Sequence, residues 1–287
     1  MRLFLQRKDR IYIVAALLLA ILVILLGVWN ENKTKQEGAA EETETGNLYT
    51  VSKIDLLEEA GDAATDILLS DRDGKVLITE GGDYVISGKL RGSIEIDAAD
   101  ENVHLILQDV EINSHDGPAI YGKAAGKLVI TIPENSTAVL QDSAYYENNK
   151  DSQACLFSNC DLTVNGSGNL QVYGYYKDGV RTKDVLKLLG PSVLIKAKNT
   201  GLRGNDGVAV KTAYLEIQSE KTGIYTKKSR KGFVELGGGS ISIIGGEYAI
   251  DSAQDVYIHD CLVALTGVIQ DIRCNGEQMI KEGCIVN

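Results

Sequence analysis

The chain has 287 residues, with 29 Lys and Arg against 40 Asp and Glu and a net charge of −11. That balance excludes a generic nucleic-acid binder, whose phosphate contacts need a basic footprint. Apolar residues make up 44% of the chain, enough for one large core, which excludes a wholly disordered protein.

Residues 11–29 run for 19 positions without a charge. A helix of that length, rising ~1.5 Å per residue, crosses a hydrocarbon core of ~30 Å. Arg2, Arg7, Lys8 and Arg10 precede it against Asp9 alone, and Glu41, Glu42 and Glu44 follow. Residues 1–10 therefore read as a cytoplasmic basic tail and 11–29 as a single-pass transmembrane signal anchor in the cell membrane. The rest of the chain is then extracytoplasmic. A cleaved signal peptide is the alternative. Residues 30–64 read as a polar linker ending in a short helix over 54–64 (IDLLEEAGDAA).

From residue 65 the texture changes. Short runs rich in β-branched residues recur over 76–78, 84–86, 93–96, 103–112 and 127–132, bounded by Gly, Asn and Asp. They read as strands of four to seven residues joined by tight turns. Residues 65–287 are thus all-β. The five cysteines, Cys155, Cys160, Cys261, Cys274 and Cys284, are odd in number and lack C-x-x-C spacing. They read as small apolar fillers, with a Cys274–Cys284 disulfide as the alternative.

An internal repeat decides the architecture. Residues 119–123, 155–159, 179–183, 201–205, 223–227 and 249–253 align. Their second position is always Ile, Leu or Val, and their fourth is always Gly, Ser or Thr. The aliphatic position recurs at intervals of 36, 24, 22, 22 and 26, and the long interval holds an insertion over 141–153. A period near 22 is one coil of a β-solenoid, which gives about ten coils after residue 65. Alternation along a strand sends the aliphatic and small positions inward and the third and fifth outward. Stacking coils ~4.8 Å apart then joins inward faces into a continuous core that no single coil can form.

The outward third column reads Tyr121, Phe157, Arg181, Arg203, Tyr225 and Asp251; the fifth reads Lys123, Asn159, Lys183, Asn205, Lys227 and Ala253. Five basic residues stand there against one acid, on an otherwise acidic chain. Arg forks carboxylates bidentately and Lys supplies a point charge, while the rings offer platforms for sugars. The pattern points to an extended anionic ligand at Tyr121, Lys123, Phe157, Arg181, Lys183, Arg203, Tyr225 and Lys227. A solvated face with scattered charge is the plainer alternative. Asp178, Asp184, Asn205 and Asp206 mark strand edges as hard oxygen donors suited to Ca²⁺, though Asp and Asn also occupy turns for local reasons. No H-E-x-x-H, G-x-S-x-G or phosphate-binding loop is present, and the D-R-D-G run at 71–74 lacks the closing Glu of a calcium loop.

The phrases GDYVISGKLRGSIEID, HDGPAIYGKAAGKLVITIPENSTAVLQDS, ACLFSNCDLTVNGSGNLQVYGYYKDGVRTKDVLKL and TGLRGND resemble the bacterial carbohydrate-binding domain-containing proteins, the family of a clostridial cellulose- and pectin-binding β-helix protein. The resemblance covers 64–267. It implies a right-handed single-stranded parallel β-helix similar to pectate lyases, surface-exposed, binding acidic polysaccharide such as polygalacturonate with Ca²⁺ on the coil turns. The coil phrase D-G-I-x-S-K-D is matched by Asp178, Gly179, Lys183 and Asp184. Asn199-Thr200, Thr222, Lys228 and Asn159-Cys160 depart from it in other coils, so Asp178, Asp184 and Asp206 are carried over as calcium ligands. The expected function is membrane-anchored, non-catalytic binding of acidic polysaccharide. A Ca²⁺-dependent polysaccharide lyase and a structural or adhesive envelope protein are the alternatives.

Overall fold

A computed structural model of the chain describes residues 48–147 and 152–284. The basic tail and the expected membrane anchor lie outside the described residues. Among the described residues no helix is long and apolar enough to cross a membrane.

The chain winds into a parallel β-solenoid with three strand faces. The first face stacks Ile120–Ala124, Ala154–Ser158, Asp178–Thr182, Thr200–Gly204, Thr222–Thr226, Tyr248–Ser252 and Gln270–Cys274. All of their pairings are parallel. The six aligned segments are therefore successive rungs in register. Their aliphatic column extends beyond the repeat as Val76, Ile94, Ile120, Leu156, Val180, Leu202, Ile224, Ile250 and Ile272. The second face contributes inward ladders such as Leu105, Ile130, Val164, Leu188, Val210, Leu236 and Ile258. The third face contributes Leu140, Val172, Ile195, Ile217, Ile243 and Leu265. These ladders form one buried core.

Several strands are longer than the sequence suggested. Asn102–Asn113, Val185–Ala197 and Gly207–Ser219 each serve two faces, and Thr65–Ile78 and Gly82–Asp97 run through all three. Gly166 and Gly190 adopt φ of 94° and 106° at the corner between the second and third faces, a region open mainly to glycine. The small first position of the repeat has a steric cause. A Cβ on Gly179 would stand 2.5 Å from Ile195 Cγ2, and Cβ atoms on Gly201 and Gly223 would meet Ile217 and Ile243 still closer.

The helix expected over 54–64 is absent. A single 3-10 turn, Lys53–Leu56, stands in its place. The segment lies instead along the outside of the second face, where its carbonyls find partners that a helix would supply internally. Asn165 Nδ2 donates to Asp55 O at 3.0 Å, and Thr131 Oγ1 donates to Leu57 O at 3.0 Å. At one end Leu48 N donates to Glu235 Oε2 at 2.6 Å and the Tyr49 ring stacks on Phe233. At the other, Gly61 N donates to Asp83 Oδ2 at 2.7 Å. Asp55, fully buried, is bonded by Lys127 Nζ at 2.6 Å and Lys187 Nζ at 2.9 Å. All five cysteines are free thiols, and Cys274 alone of them is only half-buried.

Candidate functional site

The outward column of the first face reads Glu95, Tyr121, Phe157, Arg181, Arg203, Tyr225, Asp251 and Arg273, each paired to the next. One wall therefore carries Tyr121, Phe157, Arg181, Arg203 and Tyr225, as the repeat predicts. The wall is more recessed than an open basic strip. The Arg181 and Arg203 side chains are 15% and 18% exposed. Phe157 is 2% exposed, so it supports its neighbours and offers no platform of its own.

Asp178 organises the centre. Its Oδ2 lies 3.7 Å from Nη1 of both Arg181 and Arg203, and its Oδ1 accepts a hydrogen bond from Asn199 Nδ2 at 2.9 Å. Burial pushes the Asp178 carboxyl above its ordinary range despite Asn199 and both guanidiniums. Burial, and then the charge of Arg203, lowers the Arg181 guanidinium. Asp178 Oδ2, Arg181 Nε and Arg203 Nε are buried and make no hydrogen bond. Buried donors left in this state cost free energy until an acceptor reaches them. Arg181 sits over Phe157 at 5.6 Å and Arg203 over Tyr225 at 4.7 Å, which fixes both planes.

The two ends of the wall differ. Lys123 Nζ is bound by Asp97 Oδ2 at 2.6 Å and faces Glu95 Oε1 at 3.9 Å, so its charge is answered locally. Lys183 and Lys227 are exposed at the ends of their strands. At the other end Arg273 Nε donates to Asp251 Oδ1 at 2.9 Å, and the guanidinium lies 3.9 Å from the Tyr248 ring. A recess of about 220 Å³ opens between these groups, lined in part by Asn199, Arg203, Lys221, Tyr225 and Arg273. The repeat missed Arg273 and Glu95. Ile272 continues the spacing of 22, but Asp271 and Cys274 break the small positions. In the earlier coil Ile96 fills the fourth position.

The carboxylates carried over as calcium ligands do not form one set. Asp178 begins its strand beside the two arginines, whereas Asp184 and Asp206 lie at the corner past the strand's other end. There Asp206 N donates to Asp184 O at 3.1 Å. Burial raises the Asp184 carboxyl, and the charges of Asp161 and Asp206 raise it further. Asp206 is answered by Lys228 at 2.5 Å and Lys231 at 3.5 Å. Among the described residues no three His, Cys, Asp or Glu side chains converge to hold a metal. Asp178 thus belongs to the arginine site. The repulsion around Asp184 is the feature a divalent ion would relieve.

Comparison with known proteins places this wall. The description "carbohydrate-binding domain-containing protein" matches residues 72–279. The chain belongs to that family. A relative of the same description from Acetivibrio thermocellus is 32% identical over 251 residues, covering 84% of this chain and 87% of the relative. The solved structure of a polysaccharide lyase-like protein from C. thermocellum, as a gadolinium derivative, superposes with a TM-score of 0.72 and 31% identity. It covers 77% of this chain and 98% of that one. The expected resemblance and the parallel solenoid are both borne out. The arginine column lies within the matched residues.

Proposed function

We propose that the first face docks an acidic polysaccharide without cleaving it, with Arg181 and Arg203 binding a uronate carboxylate and Tyr225 stacking on an adjoining ring. The observation that carries this reading is the pair of guanidiniums on neighbouring rungs, partly exposed and facing the buried Asp178 at 3.7 Å without a hydrogen bond to it. A carboxylate supplies the acceptors they lack, and a charged acceptor makes the stronger bond. Lys183 and Lys227 add charge along the chain of sugars. Calcium would assist at the corner of Asp184 and Asp206, where it would compete with Lys228 and Lys231 and draw its remaining oxygen ligands from the sugar and water. The protein acts outside the cell, held to the membrane by residues 11–29.

Affinity electrophoresis through gels containing polygalacturonate tests the reading. Wild type is expected to be retarded. Arg203→Ala is expected to lose at least 2 kcal/mol of binding, about thirtyfold, because truncating one charged partner leaves the other group unpaired. Equal mobility of wild type with and without polyuronate, with Ca²⁺ present, would contradict it.

A polysaccharide lyase is a second reading, favoured by one observation: the likeness to the polysaccharide lyase-like solved structure at 31% identity over 77% of this chain. On that reading a guanidinium of the pair would have to shed its own proton before accepting the one α to the uronate carboxylate as the glycosidic oxygen leaves. Absorbance from an unsaturated product, lost in Arg181→Ala, would establish it, and silence over long incubation would remove it.

A further inference from the structure

Where the third face turns into the first, a cleft of about 810 Å³ opens. Sites for small ligands commonly span about 300–1,000 Å³. Its walls come from an outward ladder of the third face, including Lys196 and Gln218, and from corner residues Tyr175, Lys198 and Glu220. None of these belongs to the repeat that marks the arginine column.

Tyr175 is the feature that needs an explanation. Its side chain is 48% exposed, yet it is held firmly. Its ring lies 6.2 Å from Tyr173 and only 17° from parallel. Its backbone N–H donates to Asp142 Oδ1 at 2.6 Å, and Asp142 Oδ2 accepts a bond from the Tyr146 hydroxyl at 2.5 Å. Tyr146, fully buried, stacks on Tyr176 at 4.1 Å. A rigid aromatic face kept open to solvent is a surface for stacking at little entropic cost. Gly174 and Ala197 keep the cleft wall beside it low.

The polar groups around this ring have no dominant sign. The ammoniums of Lys196 and Lys198 stand with the carboxylate of Glu220, the amide of Gln218 and the hydroxyls of Ser143 and Ser219. Such a mixture offers donors and acceptors to hydroxyl groups and does not select an anion. The cleft also adjoins the arginine recess. Lys198 and Glu220 line the cleft, and their next neighbours, Asn199 and Lys221, line the recess beside Arg203. Consecutive Cα atoms lie ~3.8 Å apart, so the two openings share a rim for one glycan to follow.

We propose that this cleft is a second sugar subsite that stacks an uncharged pyranose on Tyr175, so that the preferred ligand is a mixed glycan carrying uncharged sugars beside uronates. The preference for a mixed chain rests on the acidic-glycan reading of the arginine column; the cleft itself does not. Calorimetric titration of the full chain with polygalacturonate, glucuronoxylan and uncharged xyloglucan tests it. Tyr175→Ala is expected to weaken glucuronoxylan and xyloglucan roughly tenfold, the scale of one lost stacking platform, and to leave polygalacturonate within about twofold. Tyr175→Phe is expected to bind all three as wild type does. Unchanged affinity of Tyr175→Ala for both sugars would overturn the subsite, even with Arg203→Ala weakening polygalacturonate as expected. A tyrosine effect without an arginine effect would uphold the subsite and remove the acidic dock. Tighter binding of polygalacturonate than of glucuronoxylan by wild type would overturn the mixed preference.

Discussion

Asp55 shows how much one side chain decides in this fold. Burial alone would push its carboxyl up, but hydrogen bonds from Lys127, Thr163, Lys187 and the Ser52 backbone outweigh burial and hold it well below the usual range. A depressed folded value adds stability at pH values above the unfolded one, near ~3.9, and that stability fades as pH falls further. The segment over 48–61 should therefore loosen in acid before the coils do, read as early loss of amide protection at Asp55 and Leu57. Asp55→Ala leaves the buried Lys187 and the half-buried Lys127 without their counter-charge, so urea unfolding should show a loss of about 3–5 kcal/mol. A loss under 1 kcal/mol would mean the segment is not fastened there. None of this is legible in the sequence. A lone Asp in an E/D/L-rich stretch looks the same on a solvated helix, and its partners are 72 and 132 residues away. Asp178 was legible as important but not in its role, because the D-G-V-R spacing reveals neither the stacking of Arg203 nor the bond from Asn199.

At the scale of strands, inward and outward columns differ in what they reveal. An inward position must fill the same space in every coil, so its residue type repeats; this is why all six aligned segments fall in register. An outward position answers to solvent and ligand and carries no such rule. The ladder Gln141, Tyr173, Lys196, Gln218, Ile244 has no common chemistry, and the Tyr175 cleft beside it left no mark in the repeat. The inward rule has a measurable consequence at the small first position. Gly201→Val places a Cβ and its two methyl groups against Ile217 and the Gly223 carbonyl, where even the Cβ is too close. Overpacking of this kind costs about 1–3 kcal/mol. Thermal unfolding should show the corresponding drop in midpoint with unchanged glycan specificity, and a neutral effect would mean the two faces can separate freely at that coil.

At the scale of the whole molecule, a chain of net charge −11 is proposed to grip a polyanion. Long-range attraction does not supply that grip, since charges beyond a Debye length of ~8 Å are screened. It has to come from a few recessed cations on a rigid wall, and the parallel solenoid provides this by placing Arg181 and Arg203 on consecutive rungs, braced by Phe157, Tyr225 and Asp178. The most direct measurement is a crystal structure of the protein grown with a short oligogalacturonate. A uronate carboxylate is expected within hydrogen-bond distance of the Arg181 or Arg203 guanidinium, with a sugar face against Tyr225. An oligouronate seated on another face, with both guanidiniums still bare, would contradict the proposed dock.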